Sequence, residues 1–258
     1  MRLATWNVNS LRMRLDHLTD WVQAQQVDVV AVQETKLTDD KFPVAELDSV
    51  GYASAFSGQK TYNGVALLTR RSTVGEPANV TVGNPLFDDE QKRLISADVG
   101  GLRVTCAYFP NGQEVGSEKY DYKLAWIDAL VQWLDSLRDG PPRVLLGDYN
   151  IAPDSRDVHD PAQWDGKVLC SEPERERFTR LLQTGFVDAF RLFDQAEKSF
   201  SWWDYRMLGF RRNAGLRIDH ALVDSRIAGQ VRACRIDREP RALEKPSDHA
   251  PVVVDIDA

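Results

Sequence analysis

Apolar residues along this chain recur with two periods. Leu11, Leu15, Leu18 and Trp21-Val22 follow Ser10 at the spacing of one helical face, and Ser10 stands where an N-cap is expected. Ser117 to Arg138 repeats the period through Leu124, Ile127, Val131, Leu134 and Leu137, until Gly140-Pro141-Pro142 stops it. Ser171-Glu172-Pro173-Glu174 has the pattern of a capping box and opens a third helix reaching Gly185. His17 falls off the first stripe and is expected at the surface.

The other period is that of strands. Leu3 to Val8, Gly51 to Phe56, Val65 to Arg70, Arg143 to Gly147, Leu216 to Val223, Val231 to Ile236 and Pro251 to Ile256 are short apolar runs bounded by turn residues. Val27 to Val32 is almost unbroken, as in a strand covered on both faces. Arg93 to Val99 and Leu102 to Phe109 flank Gly100-Gly101, which predicts a hairpin, and Asn63-Gly64 marks a turn. Residues 151–170 read as loop. Strands and helices mix throughout, without linker, repeat or low-complexity segment. The expectation is one α/β domain over residues 1–258 with mixed sheets.

Composition narrows the picture. At 258 residues and 43% hydrophobic content the chain can bury a large core. No run approaches 18 apolar residues, so no membrane partner is expected, and the N-terminus turns polar too soon for a signal peptide. Cys106, Cys170 and Cys234 are far apart and form no Cys-x-x-Cys, which argues against a disulfide framework or zinc site and for a cytoplasmic setting. The net charge of −7 argues mildly against nucleic acid. Between Phe200 and Arg217, however, Arg206, Arg211, Arg212 and Arg217 face one acid, Asp204. The rings of Phe200-Ser201-Trp202-Trp203-Asp204-Tyr205 could stack on bases or pack in the core, and a split between the two is expected.

Candidate chemistry collects where apolar strands end. Asn7, Glu34, Tyr108, and Asp148 with Asn150 each terminate one. A single acid there is an ordinary turn former, but in α/β sheets ligand sites cluster at strand ends. Pro246-Ser247-Asp248-His249-Ala250-Pro251 adds one of only four histidines, set beside an acid in a loop stiffened by proline. Carboxylates and amide oxygens suit a hard cation such as Mg²⁺. His249 could serve as a base or, protonated, clamp a phosphate oxygen. Strand alternation places Arg217 and Asp219 on one face near the middle of a strand, and His220 on the apolar face as a packing residue. There is no G-x-S-x-G elbow, P-loop or G-x-G-x-x-G, and Ser247-Asp248-His249 are too close in sequence to form a triad.

Taken together, TWNVNSLR at 5–12, DVVAVQETK at 28–36, NGVALLTR at 63–70, YFPNG at 108–112, LLGDYNIAP at 145–153, FSWWDYR at 200–206, GLRIDHAL at 215–222 and EKPSDHAPV at 244–252 resemble the exonuclease III family of apurinic/apyrimidinic endonucleases, in the DNase I-like endonuclease/exonuclease/phosphatase superfamily. The resemblance spans nearly the whole chain. It implies a four-layer α-β-β-α sandwich of two mixed sheets. It also implies a Mg²⁺-dependent phosphodiesterase, with Mn²⁺ as a substitute, acting as a monomer in the bacterial cytoplasm alongside the nucleoid. The substrate would be double-stranded DNA with abasic sites, cut on the 5′ side, or with 3′ ends open to exonuclease and phosphatase action.

Residue by residue, the resemblance makes Glu34 the principal metal ligand, with Asn7, Asp148, Asn150 and Asp248 near it. Asp148 would activate the attacking water, Asn150 would hold that water or a phosphate oxygen, Tyr108 and His249 would bind phosphate, and Asp219 would fix the His249 ring. Whether Asp148 or His249 is the general base stays open. Trp202 would pack against the extruded abasic sugar, and Arg93, Asn111, Arg206, Arg212 and Arg217 would contact DNA. The loops at 113–116 and 206–213, including Glu114 and Met207, depart from the family pattern and bear on damage preference. A lipid-phosphate or nucleotide phosphatase of the same fold, and a non-catalytic binding relative, are the rival readings. The arginine-aromatic stretch disfavours the first, and the presence of Glu34, Asp148, Asp219 and Asp248 disfavours the second.

Overall fold

A computed structural model describes residues 1–257. In chain order the strands are β1 (Arg2–Asn7), β2 (Val29–Gln33), β3 (Tyr52–Ser57), β4 (Val65–Arg70), β5 (Ala78–Val82), β6 (Leu94–Val99), β7 (Leu102–Tyr108), β8 (Arg143–Asp148), β9 (Phe186–Asp188), β10 (Asp219–Asp224), β11 (Val231–Ile236) and β12 (Val252–Ile256). The helices are α1 (Leu11–Gln25), α2 (Val44–Ser49), α3 (Glu118–Ser136), α4 (Pro161–Trp164) and α5 (Glu172–Gln183). The strands form two six-stranded sheets, ordered β11-β12-β1-β2-β4-β3 and β5-β6-β7-β8-β10-β9. One parallel pair lies in each, β1 with β2 and β7 with β8; the other pairs are antiparallel. Both sheets are therefore mixed.

The pleat explains the layering. Val29 and Ala31 face the second sheet and pack with Ile95, Val104, Cys106, Val144 and Leu146. Val30 and Val32, one residue out of phase, face α1 and pack with Leu18 and Val22. Burial on both sides is why β2 reads as an unbroken apolar run. On the outer face of the second sheet, Trp126, Ile127, Leu130 and Leu134 of α3 and Phe178 and Leu181 of α5 cover Leu145 and Leu222. Helices, sheet, sheet and helices make the four layers expected.

Side-chain caps form at the starts of α3, α4 and α5. Ser117 accepts a hydrogen bond from the Tyr120 amide at 3.2 Å, and the Glu174 carboxylate accepts from the Ser171 amide at 3.0 Å. Ser10 is an exception. Its φ is 89° and its side chain makes no capping bond; the Ser10 and Leu11 amides donate instead to the carbonyls of Glu34 and Thr35 at 2.8 and 3.1 Å. The loop after β2 thus caps α1. His17 is half-buried rather than exposed. β5 escaped the sequence pattern because four of its five side chains are exposed at a sheet edge, leaving no alternation to read. Residues 151–170 are more ordered than a bare loop: they hold α4 and seat Ala152, Val158, Leu169 and Cys170 against Leu216 and Ile218.

The largest correction concerns β10, which begins at Asp219 and not at Leu216. The amides just before it are taken elsewhere. Arg217 donates to the Asp157 carbonyl at 2.9 Å, while Ile218 and Asp219 both donate to Ser201 Oγ at 3.0 Å. Arg217 and Asp219 consequently part ways. Arg217 is 1% exposed and ion-paired with Asp157 at 2.7 Å and Asp188 at 2.9 Å.

His220 packs in the interior as expected. Its Nε2–H donates to the Ile151 carbonyl at 2.9 Å, and its Nδ1 accepts from Arg217 at 3.0 Å. Burial, reinforced by the Arg217 charge, pushes this imidazole down from 6.5 to about 3. Between those values the unfolded chain binds a proton that the folded chain refuses, so stability falls as pH drops through that window. One such site contributes about 1.4 kcal/mol per pH unit. Urea unfolding at pH 7 and pH 5 should show a smaller pH dependence for His220→Gln than for the parent; equal dependence would mean that the buried neutral ring carries no such penalty.

Candidate active site

The strand registers bring the predicted residues to one place. Asn7 lies opposite Gln33 in the parallel β1–β2 pair, so Glu34 emerges just beyond it. In the second sheet Asp148 lies opposite both Tyr108 and Asp219. The two sheets meet here through side chains. Asn7 Nδ2 donates to Glu34 Oε1 and to Asp148 Oδ2, both at 2.9 Å, and the Tyr108 hydroxyl donates to Glu34 Oε1 at 2.9 Å. The amide of Asn150, itself at a φ of 49°, donates to Asp148 Oδ1 at 2.9 Å. Asparagine is among the few residues that tolerate such a backbone.

The Pro246–Pro251 loop closes the site. Ser247 Oγ donates to the Asn7 carbonyl at 2.6 Å and accepts from the His249 amide at 3.2 Å. Trp6 Nε1 donates to the His249 carbonyl at 3.2 Å. The imidazole is thereby set with Nδ1 2.8 Å from Asp219 Oδ2 and Nε2 3.7 Å from Asp148 Oδ2. Glu34, Tyr108, Asn111, Asp148, Asn150, Trp202, Asp248 and His249 all line one cavity of about 350 Å³. One donor atom from each of Glu34, Asp148 and His249 falls within 4.8 Å of the others. Two carboxylates and flanking amides form a donor set suited to a divalent cation.

Charge in the cavity is finely opposed. Burial pushes the Glu34 carboxyl up, but the Lys36 ammonium 2.8 Å away and the Asn7 amide outweigh it and hold it below its ordinary range. Burial raises the Asp148 carboxyl, aided by Asp219. Burial works to lower His249, yet the carboxylates of Asp219 and Asp148 prevail and raise it. Burial, with Glu34 and Asp148, drives Tyr108 well above its ordinary value, which keeps the phenol a donor.

Other predicted residues take different places. Asp248 lines the cavity but stands outside the Glu34–Asp148–His249 group; its carboxylate accepts from Asn9 Nδ2 and Trp202 Nε1, each at 3.0 Å. Arg93 lies 4.9 Å over the Tyr108 ring and donates to the Tyr108 carbonyl at 3.3 Å. Asn111 donates to Asn150 Oδ1 at 3.1 Å. Arg206 and Arg212 sit on the exposed 204–214 loop and line a groove that continues from Trp202. Arg217 cannot contact DNA, because its guanidinium is enclosed by Asp157 and Asp188. The aromatic stretch splits as expected: Trp203 is fully buried, Trp202 half-buried and Tyr205 exposed.

Sequence reasoning gave no role to Lys36 and Asn9. Lys36 Nζ donates to Asn9 Oδ1 at 2.5 Å while paired with Glu34, and Asn9 in turn holds Asp248. Both residues lie within the strand-end motifs, but the link forms only because Asn9, Glu34 and Lys36 each adopt positive φ.

The chain matches the Endonuclease/Exonuclease/phosphatase family over residues 4–249. Exodeoxyribonuclease III of Haemophilus influenzae is 38% identical over 266 aligned positions, covering 98% of each chain. Two solved structures superpose over the full length of both chains: the 3′ phosphatase NExo from Neisseria bound to product DNA hairpin, at a TM-score of 0.96 and 43% identity, and an AP endonuclease from Archaeoglobus fulgidus, at 0.95 and 36%.

Proposed function

The chain belongs to the Endonuclease/Exonuclease/phosphatase family, and from that membership we propose that it hydrolyses phosphodiester bonds of double-stranded DNA in base-excision repair. It cuts 5′ to abasic sites and removes nucleotides or phosphate from 3′ ends. It works as a monomer, as one domain over residues 1–258, in the bacterial cytoplasm alongside the nucleoid. The observation that carries this reading is the convergence of Glu34, Asp148 and His249 within 4.8 Å, in a cavity walled by Trp202.

Glu34 and Asp148, with Asn7 and Asn150 beside them and Asp248 at the rim, would hold Mg²⁺ or Mn²⁺. When bound, the cation stabilises charge developing on phosphate oxygens. The protein's own groups divide the remaining work. An imidazole between two carboxylates stays protonated at neutral pH, so His249 is the phosphate clamp and not the base. Asp219 accepts the Nδ1–H hydrogen bond and leaves Nε2–H for a phosphate oxygen. Asp148, set between the Asn7 and Asn150 amides, accepts the proton of the attacking water, and Asn150 orients that water. Tyr108 donates to the same phosphate. Trp202, pinned by Asp248, packs against the extruded sugar, and Arg206 and Arg212 follow the DNA backbone.

A labelled duplex carrying one tetrahydrofuran abasic analogue tests the reading. In Mg²⁺ it should be nicked once, 5′ to the lesion, and EDTA should abolish the nick. A 3′-phosphorylated primer should release inorganic phosphate under the same conditions. An intact abasic strand in Mg²⁺ would remove the endonuclease assignment, and a nick that survives EDTA would remove the metal.

A further inference from the structure

Behind the cavity wall lies an ion pair fully shut off from solvent. Lys123 of α3 and Glu174 of α5 are both 0% exposed and bonded to each other. Burying two charges is costly unless their remaining hydrogen-bonding capacity is met, and here it is met by backbone. Lys123 Nζ donates to the carbonyl of Asn150 at 2.7 Å and to that of Asn111 at 3.1 Å. Glu174 accepts from the amides of Leu169 and Ser171, both at 3.0 Å.

The segments gathered in this way follow β7, follow β8 and precede α5. Each supplies a wall of the candidate site, through Asn111, Asn150 and Leu169. The lysine reaches them because residue 112 is glycine: a Cβ there would lie 3.0 Å from Lys123 Cδ, and its φ is +92°. The YFPNG motif thus ends in a glycine that gives passage to the Lys123 stem. The connection to chemistry is short. The peptide whose carbonyl Lys123 holds belongs to the residue whose amide holds Asp148 Oδ1 at 2.9 Å.

We propose that Lys123, paired with Glu174, is a positioning residue for catalysis: a cation that never touches DNA sets the backbone of Asn111 and Asn150 and through it the Asp148 carboxylate. The proposal rests on the roles given above to Asp148 and Asn150.

Lys123→Met alone leaves Glu174 charged and unpaired in the interior, so the informative variant is Lys123→Met/Glu174→Gln, which removes both charges and keeps an acceptor for Leu169 and Ser171. On the abasic duplex kcat should fall about 10- to 100-fold, as small misplacements of reacting groups do, with KM within about threefold of the parent on the same argument. Lys123→Arg should recover part of the loss. In ¹⁵N-edited spectra of the same double variant, the Asn111 and Asn150 resonances should move. If the double variant unfolds, Gly112→Ala, which crowds the lysine stem without removing a charge, should show the same split between kcat and KM. Parental kcat in the folded double variant, or unmoved asparagine resonances, overturns the proposal. An inactive parent overturns the functional reading instead, and the spectra then decide the positioning separately.

Discussion

Replacing Asp148 with asparagine should lower kcat on an abasic duplex by about 10²- to 10⁴-fold, the range for losing a positioned acid–base group, with little change in duplex affinity. The substitution keeps the shape of the side chain but removes both the charge and the capacity to take a proton. It also turns one acceptor into a donor, and Asp148 Oδ2 already receives the Asn7 amide while Oδ1 receives Asn150 N–H. One of those bonds must be lost. Because Asp148 is 1% exposed and its ionised form is disfavoured by burial, the variant should unfold at the parent's temperature or above. Single-turnover cleavage beside thermal unfolding measures both. Near-parental cleavage would take Asp148 out of the reaction.

His249→Ala should also lower kcat by two orders of magnitude or more, on the order expected for a lost electrostatic or acid–base partner. Unlike the first variant, it should destabilise the fold, because Asp219 is 1% exposed and loses the imidazole 2.8 Å away. Adding Asp219→Asn removes the stranded charge. The double variant should regain stability without regaining turnover, which separates the clamp from the group that orients it. Recovery of turnover together with stability would show that His249 only props up the fold.

The core of this site was legible because its residues obey a simple rule: a polar side chain ends an apolar strand. Glu34, Tyr108 and Asp148 stand at or just past the ends of strands that pair in register. His249 was legible from its proline-stiffened loop, whereas the role of Asp219 beside it came from the family likeness; the β8–β10 register sets Asp219 opposite Asp148, and the His249 ring lies 3.7 Å from Asp148. Arg217 was misread for a reason alternation cannot see. Period-two reasoning needs a strand, and at Leu216 to Ile218 the amides answer in turn to Trp202, Asp157 and Ser201 instead of β8. Lys36 and Asn9 were silent because their contact depends on left-handed backbone on two loops 27 residues apart. Base and clamp could not be told apart from motifs, since the distinction lies in which carboxylates flank an imidazole in space.

The amide of Asn7 comes from one sheet and the carboxylate of Asp148 from the other. The two halves of the sandwich therefore act as the jaws of a vice, and their grip is set by greasy, direction-blind contacts such as those of Val29, Cys106 and Leu146. A slip of one jaw past the other would uncouple the reacting groups while every strand stayed intact. Speed in this molecule is hostage to its middle layer, far from anything a nucleic acid can reach.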